Sequence, residues 1–254
     1  MNRNPGPQQG RPLALYLTGE HPCSYLDGLA ARTLFVDPLA RIGARTFQSL
    51  LEQGFRRSGS HIYRPACPGC HACVSLRLPV EAFKPNRSQR RNFRLNAPEV
   101  TVVARPPTFE PEHFALYQRY LQARHPDGSM AEGTSENYRD FLIDPWGGET
   151  HLLEFRLGEQ LMAVAVTDVT PNGLSAVYTF FDPALSRRAP GAFAILCQIE
   201  AAKELGRDYL YLGYWIDACG KMRYKAGFRP LEAWNGRDWQ RFGPGQPLHI
   251  VYGR

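Results

Sequence analysis

The sequence predicts an α/β (α+β) protein built on a mixed, largely antiparallel sheet. Three stretches predict it. Residues 150–181 hold three strand-like runs, THLLEFRL, LMAVAVTDV and LSAVYTFF, separated only by GEQ and TPNG, which is hairpin order. Residues 191–206 change period: Ala192, Ile195, Leu196, Ile199 and Ala202 share one side of a helix that Gly206 closes. The aromatic-rich run DYLYLGYWI at 208–216 then returns to strand, so a helix crosses between two strands.

Composition narrows the class. A chain of 254 residues, 43% hydrophobic and 21% charged, has the material for a real core and the balance of an ordinary globular protein. The first 17 residues lack a continuous apolar segment and a small-residue cleavage site, so no secretory signal is expected. The longest apolar runs, such as LMAVAV at 161–166, are far too short to span a bilayer, and no membrane partner is expected. Six cysteines without a signal point to reduced thiols and a cytoplasmic location. The net charge of +6 matters because arginines cluster rather than spread, which favours a polyphosphate partner.

In chain order, Pro, Gly and Gln dominate residues 1–12, a flexible tail. A short strand and turn lead to Cys23, and a helix is expected over 37–54, ending at Gly54. Residues 55–65 read as a strand or hairpin. The alternating run 74–80 is a strand with Val74, Leu76, Leu78 and Val80 on one side. A helix around 87–94 and a strand over 99–104 follow. Three prolines within 104–111 mark the expected boundary between an N-terminal domain, 13–104, and a second domain, 105–254. The second domain opens with a helix at 111–125 carrying Pro at its first position and a helix at 134–144 with Thr and Ser at its start. After the meander, the long helix and the aromatic strand come a short helix at 221–228 and a closing hairpin around Asn235-Gly236.

Three motifs could carry chemistry. Cys67, Cys70 and Cys73 are spaced C-x2-C-x2-C, with Pro68 and Gly69 turning the backbone between them; thiolates so placed suit zinc or an iron–sulfur cluster. The same stretch matches a c-type haem attachment pattern, which is rejected because no export signal accompanies it. Arg87, Arg90, Arg91 and Arg94 fall on one face of a helix, a stripe suited to a nucleic-acid backbone. Arg187, Arg188 and Gly191 precede the long helix, where exposed N–H groups and the dipole attract phosphate.

Two stretches carry a family resemblance. YRPACPGCHACVSLRLPV followed by NRSQRR resembles the N-terminal signature of the aminoacyl-tRNA–protein transferases, and LYLGYWIDACGKMRYKAGFRPLE resembles their second signature. MAVAVTDV and SAVYTFFDP fit the central strands, so the match runs from about His21 to about Trp239. The resemblance implies a GNAT-like acyltransferase domain preceded by a smaller α/β domain. It implies transfer of an amino acid from aminoacyl-tRNA to a protein N-terminus, with no cofactor required. The C-x2-C-x2-C form of the knuckle and the short length favour the branch that moves leucine from leucyl-tRNA to N-terminal Asp or Glu, marking proteins for degradation; the arginyl branch is the alternative. Cys23 lies where the family places an N-terminal cysteine motif and could join Cys67, Cys70 and Cys73 around a metal, although the second thiol of that motif is missing here.

Ester-to-amide transfer needs the amine and the ester carbonyl held together in a dry cleft, with a proton acceptor as a further aid. Asp168 is the first candidate for orienting or deprotonating the amine, because it continues the apolar row of Met162, Val164 and Val166. Asp182, sharing a face with Tyr178 and Phe180, is the second, and Tyr178 is included with them. An acidic acceptor side chain calls for a fixed cation. Lys225 matches the family's most recognisable lysine, with Tyr224 beside it, and Arg56, Arg57 and Arg77 are further candidates. Tyr211 and Tyr214 are expected to line the pocket. The rivals are an acetyl-CoA-dependent GNAT N-acetyltransferase, which leaves the arginine stripe without a task, and a non-catalytic RNA-binding zinc module, which leaves the phosphate-binding junction unexplained.

Overall fold

The computed structural model describes residues 12–124 and 133–252, so most of the expected tail lies outside the described residues. The N-terminal part builds β1 (Leu15–Leu17), β2 (His21–Pro22), β3 (Ala30–Ala31), β4 (Thr33–Val36), α1 (Ala44–Glu52), β5 (Arg56–Ser58) and β6 (His61–Pro65). Helix α1 starts seven residues later than expected. Asp37 accepts a bond from the Leu39 backbone N–H at 2.9 Å, an Asx-type turn that competes with helix. Next come β7 (Val74–Pro79), α2 (Arg87–Asn96), β8 (Val100–Arg105), α3 (Pro111–Arg124) and α4 (Ser135–Tyr138), the last running into a π-helical turn at Arg139–Ile143. The C-terminal part holds β9 (Glu149–Leu157), β10 (Gln160–Val169), β11 (Gly173–Phe181), α5 (Pro190–Glu204), β12 (Tyr209–Trp215), α6 (Gly220–Arg223), β13 (Leu231–Trp234) and β14 (Trp239–Phe242). The predicted closing hairpin is β13–β14, its turn held by Asn235 accepting from the backbone N–H groups of Arg237 and Asp238.

One eight-stranded sheet organises all of this, in the order β14-β13-β7-β12-β11-β10-β9-β8. Every pairing in it is antiparallel except β11 with β12, which are parallel and joined through α5. Two helices, a meander, a helix and a parallel strand are the order expected of a GNAT-like domain. Strands β7 and β8 lie on the N-terminal side of the proline-rich segment, yet both complete this sheet. Hydrogen bonding therefore runs straight across residue 104: β7 buries Val74, Leu76 and Leu78, and β8 pairs six residues with β9. What remains apart is the layer of β1, β4, β6 and β5, a four-stranded sheet backed by α1.

The two faces of the large sheet are covered differently. Helix α5 buries Phe193, Ala194, Ile195, Leu196, Ile199 and Ala202 against one face. On the other, α3 packs over Val164, Val166 and Phe180, and α1 seats Phe47, Leu50 and Leu51 with Phe55, Trp146 and Tyr211. A register shift in β10 near Leu161–Ala163 turns Met162 to the α5 face, so the row read as Met162, Val164, Val166, Asp168 keeps only its last three members. Helix α2 docks on the start of α5 through a polar inner face. Asn92 and Asn96 donate to the Arg188 carbonyl at 2.8 and 3.0 Å, and Asn86 and Gln89 form a reciprocal cap at its N-terminus.

Candidate functional site

Parallel strands β11 and β12 pair only at Gly173–Tyr209, Leu174–Leu210 and Ser175–Tyr211 and then separate. The consequence is visible in exposure. β11 is the fifth strand of the sheet from one edge and the fourth from the other, yet Ala176, Val177, Tyr178 and Thr179 are all half-buried rather than buried. Ligands of α/β proteins collect at the carboxyl ends of parallel strands where the sheet parts. Here those ends lead into the turn before α5 on one side and into residues 216–227 on the other.

A glycine shapes the β12 side. Gly213 has φ +76°, at a bulge in the pairing with β7, a conformation open to glycine at little cost. A Cβ built there would stand 3.6 Å from Lys225 Nζ and 4.0 Å from Arg56 Nε. Two cations thus converge on one bare stretch of backbone. Lys225 Nζ donates to the Tyr214 carbonyl at 2.9 Å. Burial first, and the neighbouring Arg56 charge second, pull its pKa down from 10.5 to about 8. Arg56 is buried and donates to the carbonyls of Phe55 at 2.7 Å and Leu76 at 3.2 Å, while its Nε bonds nothing. The rings of Tyr211 and Tyr214 flank its guanidinium at 5.6 and 5.8 Å. Among the described residues, neither cation has a carboxylate partner. The hydroxyls of both rings are engaged: Tyr214 donates to Gly54 O, and Tyr211 accepts from Gln48.

Several expected site residues have other work. Asp168 is fully buried, and both its oxygens are taken. Arg57 donates to them through Nε at 2.8 Å and Nη2 at 2.7 Å, and Thr150, itself bonded by Trp146, adds a third bond at 2.7 Å. A fully buried carboxylate gripped by a buried guanidinium is not presented to an incoming amine, and the pair instead ties the small layer to the large sheet. Arg57 therefore leaves the substrate group with Asp168. Arg77 pairs with Glu232 at 2.7 Å and is sandwiched by Tyr209 and Trp239 at 3.8 and 4.3 Å, so it staples β7 to the closing hairpin. Asp182 caps the turn before α5, accepting from the Ala184 N–H at 2.9 Å. Tyr178 stands on the open part of β11 against Tyr117, Tyr120 and Phe141. Burial and the neighbouring phenols raise its pKa, making it a donor rather than a base.

The arginine stripe is where it was expected. Arg87, Arg90, Arg91 and Arg94 are all exposed on α2. Arg187 and Gly191 remain accessible at the start of α5, whereas Arg188 is committed to Glu99, Asn96 and the Leu95 carbonyl. Cys23, Cys67, Cys70 and Cys73 line a cavity of about 270 Å³ with Arg64, Tyr214 and Trp234. Among the described residues no three His, Cys, Asp or Glu side chains are placed to hold an ion. Burial, followed by the surrounding thiols, pushes the Cys73 thiol up to about 12. As placed, these thiols do not form a ligand set for a metal or cluster.

The comparisons with known proteins agree with the two sequence signatures. The model described as "Arginine-tRNA-protein transferase, N terminus" matches residues 21–91, and its C-terminal counterpart matches residues 112–235. A protein named aspartate/glutamate leucyltransferase from Hahella chejuensis is 50% identical over 229 residues, covering 90% of this chain and 97% of the relative. The chain belongs to the aminoacyl-tRNA–protein transferase family. A second relative of the same name, from Alkalilimnicola ehrlichii, is 51% identical over 230 residues, covering 90% and 95%. Among solved structures, that of FemX covers 79% of each chain with a TM-score of 0.45 and 10% identity. A member of this family is an aminoacyltransferase, and no helix among the described residues is long and apolar enough to cross a membrane.

The sequence singled out Lys225, Arg56 and the arginine stripe as candidates and passed over Gly213, which the structure places between the first two. Its signal was present, since a glycine inside the aromatic run YLYLGYW marks a bulge or a close approach.

Proposed function

We infer that this protein transfers leucine from leucyl-tRNA to proteins beginning with Asp or Glu, in the cytoplasm, where the product is a degradation signal. The observation that carries the reading is the cradle of Arg56 and Lys225 over Gly213, two partly or wholly buried cations with no carboxylate between them among the described residues. Buried charge without a partner is costly. The side-chain carboxylate of an N-terminal Asp or Glu supplies the missing partner, with Arg56 offering the planar fork and Lys225 the point charge.

The acceptor's α-amine then lies at the mouth of the gap between β11 and β12. Its nitrogen attacks the ester carbonyl of the aminoacyl-tRNA, a C–N bond forms, the C–O bond to the terminal ribose breaks, and the amine proton leaves with the ribose oxygen or to water. An α-amine with pKa near 8 is partly neutral already, and holding the two reactants together can supply ~7–11 kcal/mol of the barrier. No carboxylate base is required, consistent with Asp168 being occupied elsewhere. Outside the cleft, Arg87, Arg90, Arg91 and Arg94 hold the tRNA backbone, and Arg187 with the Gly191 backbone faces phosphate at the start of α5.

The test is label transfer. Radiolabel should pass from Leu-tRNA to peptides beginning with Asp or Glu and not to those beginning with Lys. Transfer from Arg-tRNA alone would move the reading to the arginyl branch. Acetyl-CoA turnover without tRNA-dependent transfer would overturn it.

A further inference from the structure

The cradle accounts for the acceptor but leaves unassigned a wall of aromatic side chains on the opposite side of the gap. Tyr120 of α3 meets Phe181 of β11 at 5.0 Å and Tyr178 at 6.3 Å, and Phe141 meets Tyr178 at 5.2 Å. Tyr224, next to Lys225 in the chain, is 48% exposed and stands near Tyr120 and Arg124. Lys221 Nζ donates to the Arg124 carbonyl at 2.7 Å, which fixes the end of α3 against the turn that carries Tyr224. Tyr178 packs against the α3-side core and Phe181 against the α5-side core, yet both stay half-buried on an interior strand, so each keeps apolar surface that its core does not cover.

We propose that Tyr120, Tyr178, Phe181 and Tyr224 form the hollow that receives the donor's aminoacyl side chain and selects leucine by size. This deepens the leucyl-transfer reading and rests on it. The location follows from the reaction. The ester carbonyl must reach an amine whose own side chain is held at Lys225, so the donor side chain has to project to the other side of the same opening. Tyr224 lies one residue from Lys225 and Tyr178 on the parted strand, which puts both at that border. A leucyl group offers only apolar surface, and rings offer apolar area with little conformational entropy to lose. A hollow of this kind discriminates by volume, at about 10–200-fold per methylene.

The experiment charges a single tRNA with leucine, valine or phenylalanine in turn, so that only the amino acid varies, and measures kcat/KM for transfer to a fixed Asp-initiated peptide. Tyr224→Ala, at an exposed position, and Tyr178→Ala should each raise phenylalanine relative to leucine by about tenfold or more, with the KM for the peptide within about twofold of wild type. Far-ultraviolet circular dichroism and thermal melting confirm that each variant is folded. Unchanged Leu/Phe/Val ratios in folded variants would overturn the proposal, as would a change confined to the peptide KM. Loss of the leucyl reading itself looks different, because wild-type protein would then fail to transfer leucine at all.

Discussion

Arg56 and Arg57 are consecutive on β5 and both are buried, yet their surroundings could hardly differ more. Arg57 has a bidentate carboxylate, a backbone carbonyl and the Trp146 ring 5.0 Å away. Arg56 has two carbonyls, two tyrosine rings, an idle Nε and a second cation for a neighbour. The first charge is neutralised by the fold, and the second is left for something the fold does not contain. Satisfied charge marks where two layers are fastened, and unsatisfied charge marks where a ligand belongs.

Breaking the fastening should give the largest effect. Asp168→Ala strands the Arg57 guanidinium among buried groups and is expected to cost about 3–5 kcal/mol of stability, read as a lowered urea midpoint. The double variant Arg57→Met/Asp168→Leu should recover most of the loss, because removing both charges removes the penalty. If Asp168 were instead the proton acceptor, Asp168→Asn would cut kcat while leaving the urea midpoint where it was, and the contrast between the two arginines would fail.

Removing a charge from the cradle should do the opposite. Arg56→Met or Lys225→Met deletes a charge-assisted bond to the acceptor's carboxylate, about 1.5–3 kcal/mol, or roughly 10–150-fold in kcat/KM for Asp-initiated peptides. Stability should hold or rise, since a buried unpaired charge is gone. Lost stability with unchanged peptide kinetics would show that the cradle is architecture after all.

The Lys225 ammonium, held at about 8, gives the cradle a pH signature. A bound carboxylate favours the charged form and lifts its pKa above the free value. Binding is therefore at full strength below about pH 8. It weakens as pH rises through 8, by up to about tenfold per unit, because the free site has shed a proton that binding must take up. The measurement is Kd against pH for a peptide whose first residue keeps the acidic side chain but lacks the α-amine, so that no amine titration intrudes. Lys225→Arg should flatten the profile between pH 7.5 and 9.5 on the same ground. A wild-type profile already flat there would remove Lys225 from the acceptor site.

Much of this contrast was legible in the sequence, and its gaps have physical causes. Alternation and helical period located the meander and α5, because local pattern and tertiary burial agree there. The arginine stripe was legible because exposed charge needs no partner. The role of Asp168 was not, since its partner lies 111 residues away on a different layer, and no local pattern encodes a long-range pairing. Arg77 failed for the same reason, with Glu232 155 residues away. The prolines at 106, 107 and 111 report a local break, and no local pattern shows that β7 and β8, which precede them, pair into the large sheet. The half-exposed middle of β11 could not be anticipated either, because in sequence LSAVYTFF reads like any core strand.

The same contrast recurs among the arginines proposed to hold the tRNA, and there it predicts the smallest effect. Arg91 and Arg94 are exposed on α2, while Arg188, a few ångströms from that helix, is tied to Glu99, Asn96 and Leu95 O. Exposed cations that meet phosphate release counterions, so Arg91→Gln and Arg94→Gln should each reduce the slope of log affinity for tRNA against log salt by about 0.7–1, with acceptor KM unaltered. Arg188→Gln should leave that slope nearly unchanged, because its charge is already spent on Glu99. It should act instead on the seat of α2, loosening the contacts through which Asn92 and Asn96 hold the Arg188 carbonyl. Filter binding across a salt series with all three variants separates the outcomes. Equal slope changes for Arg188 and Arg91 would mean that the ion pair opens when RNA arrives, and that intramolecular pairing does not by itself exclude a residue from the nucleic-acid surface.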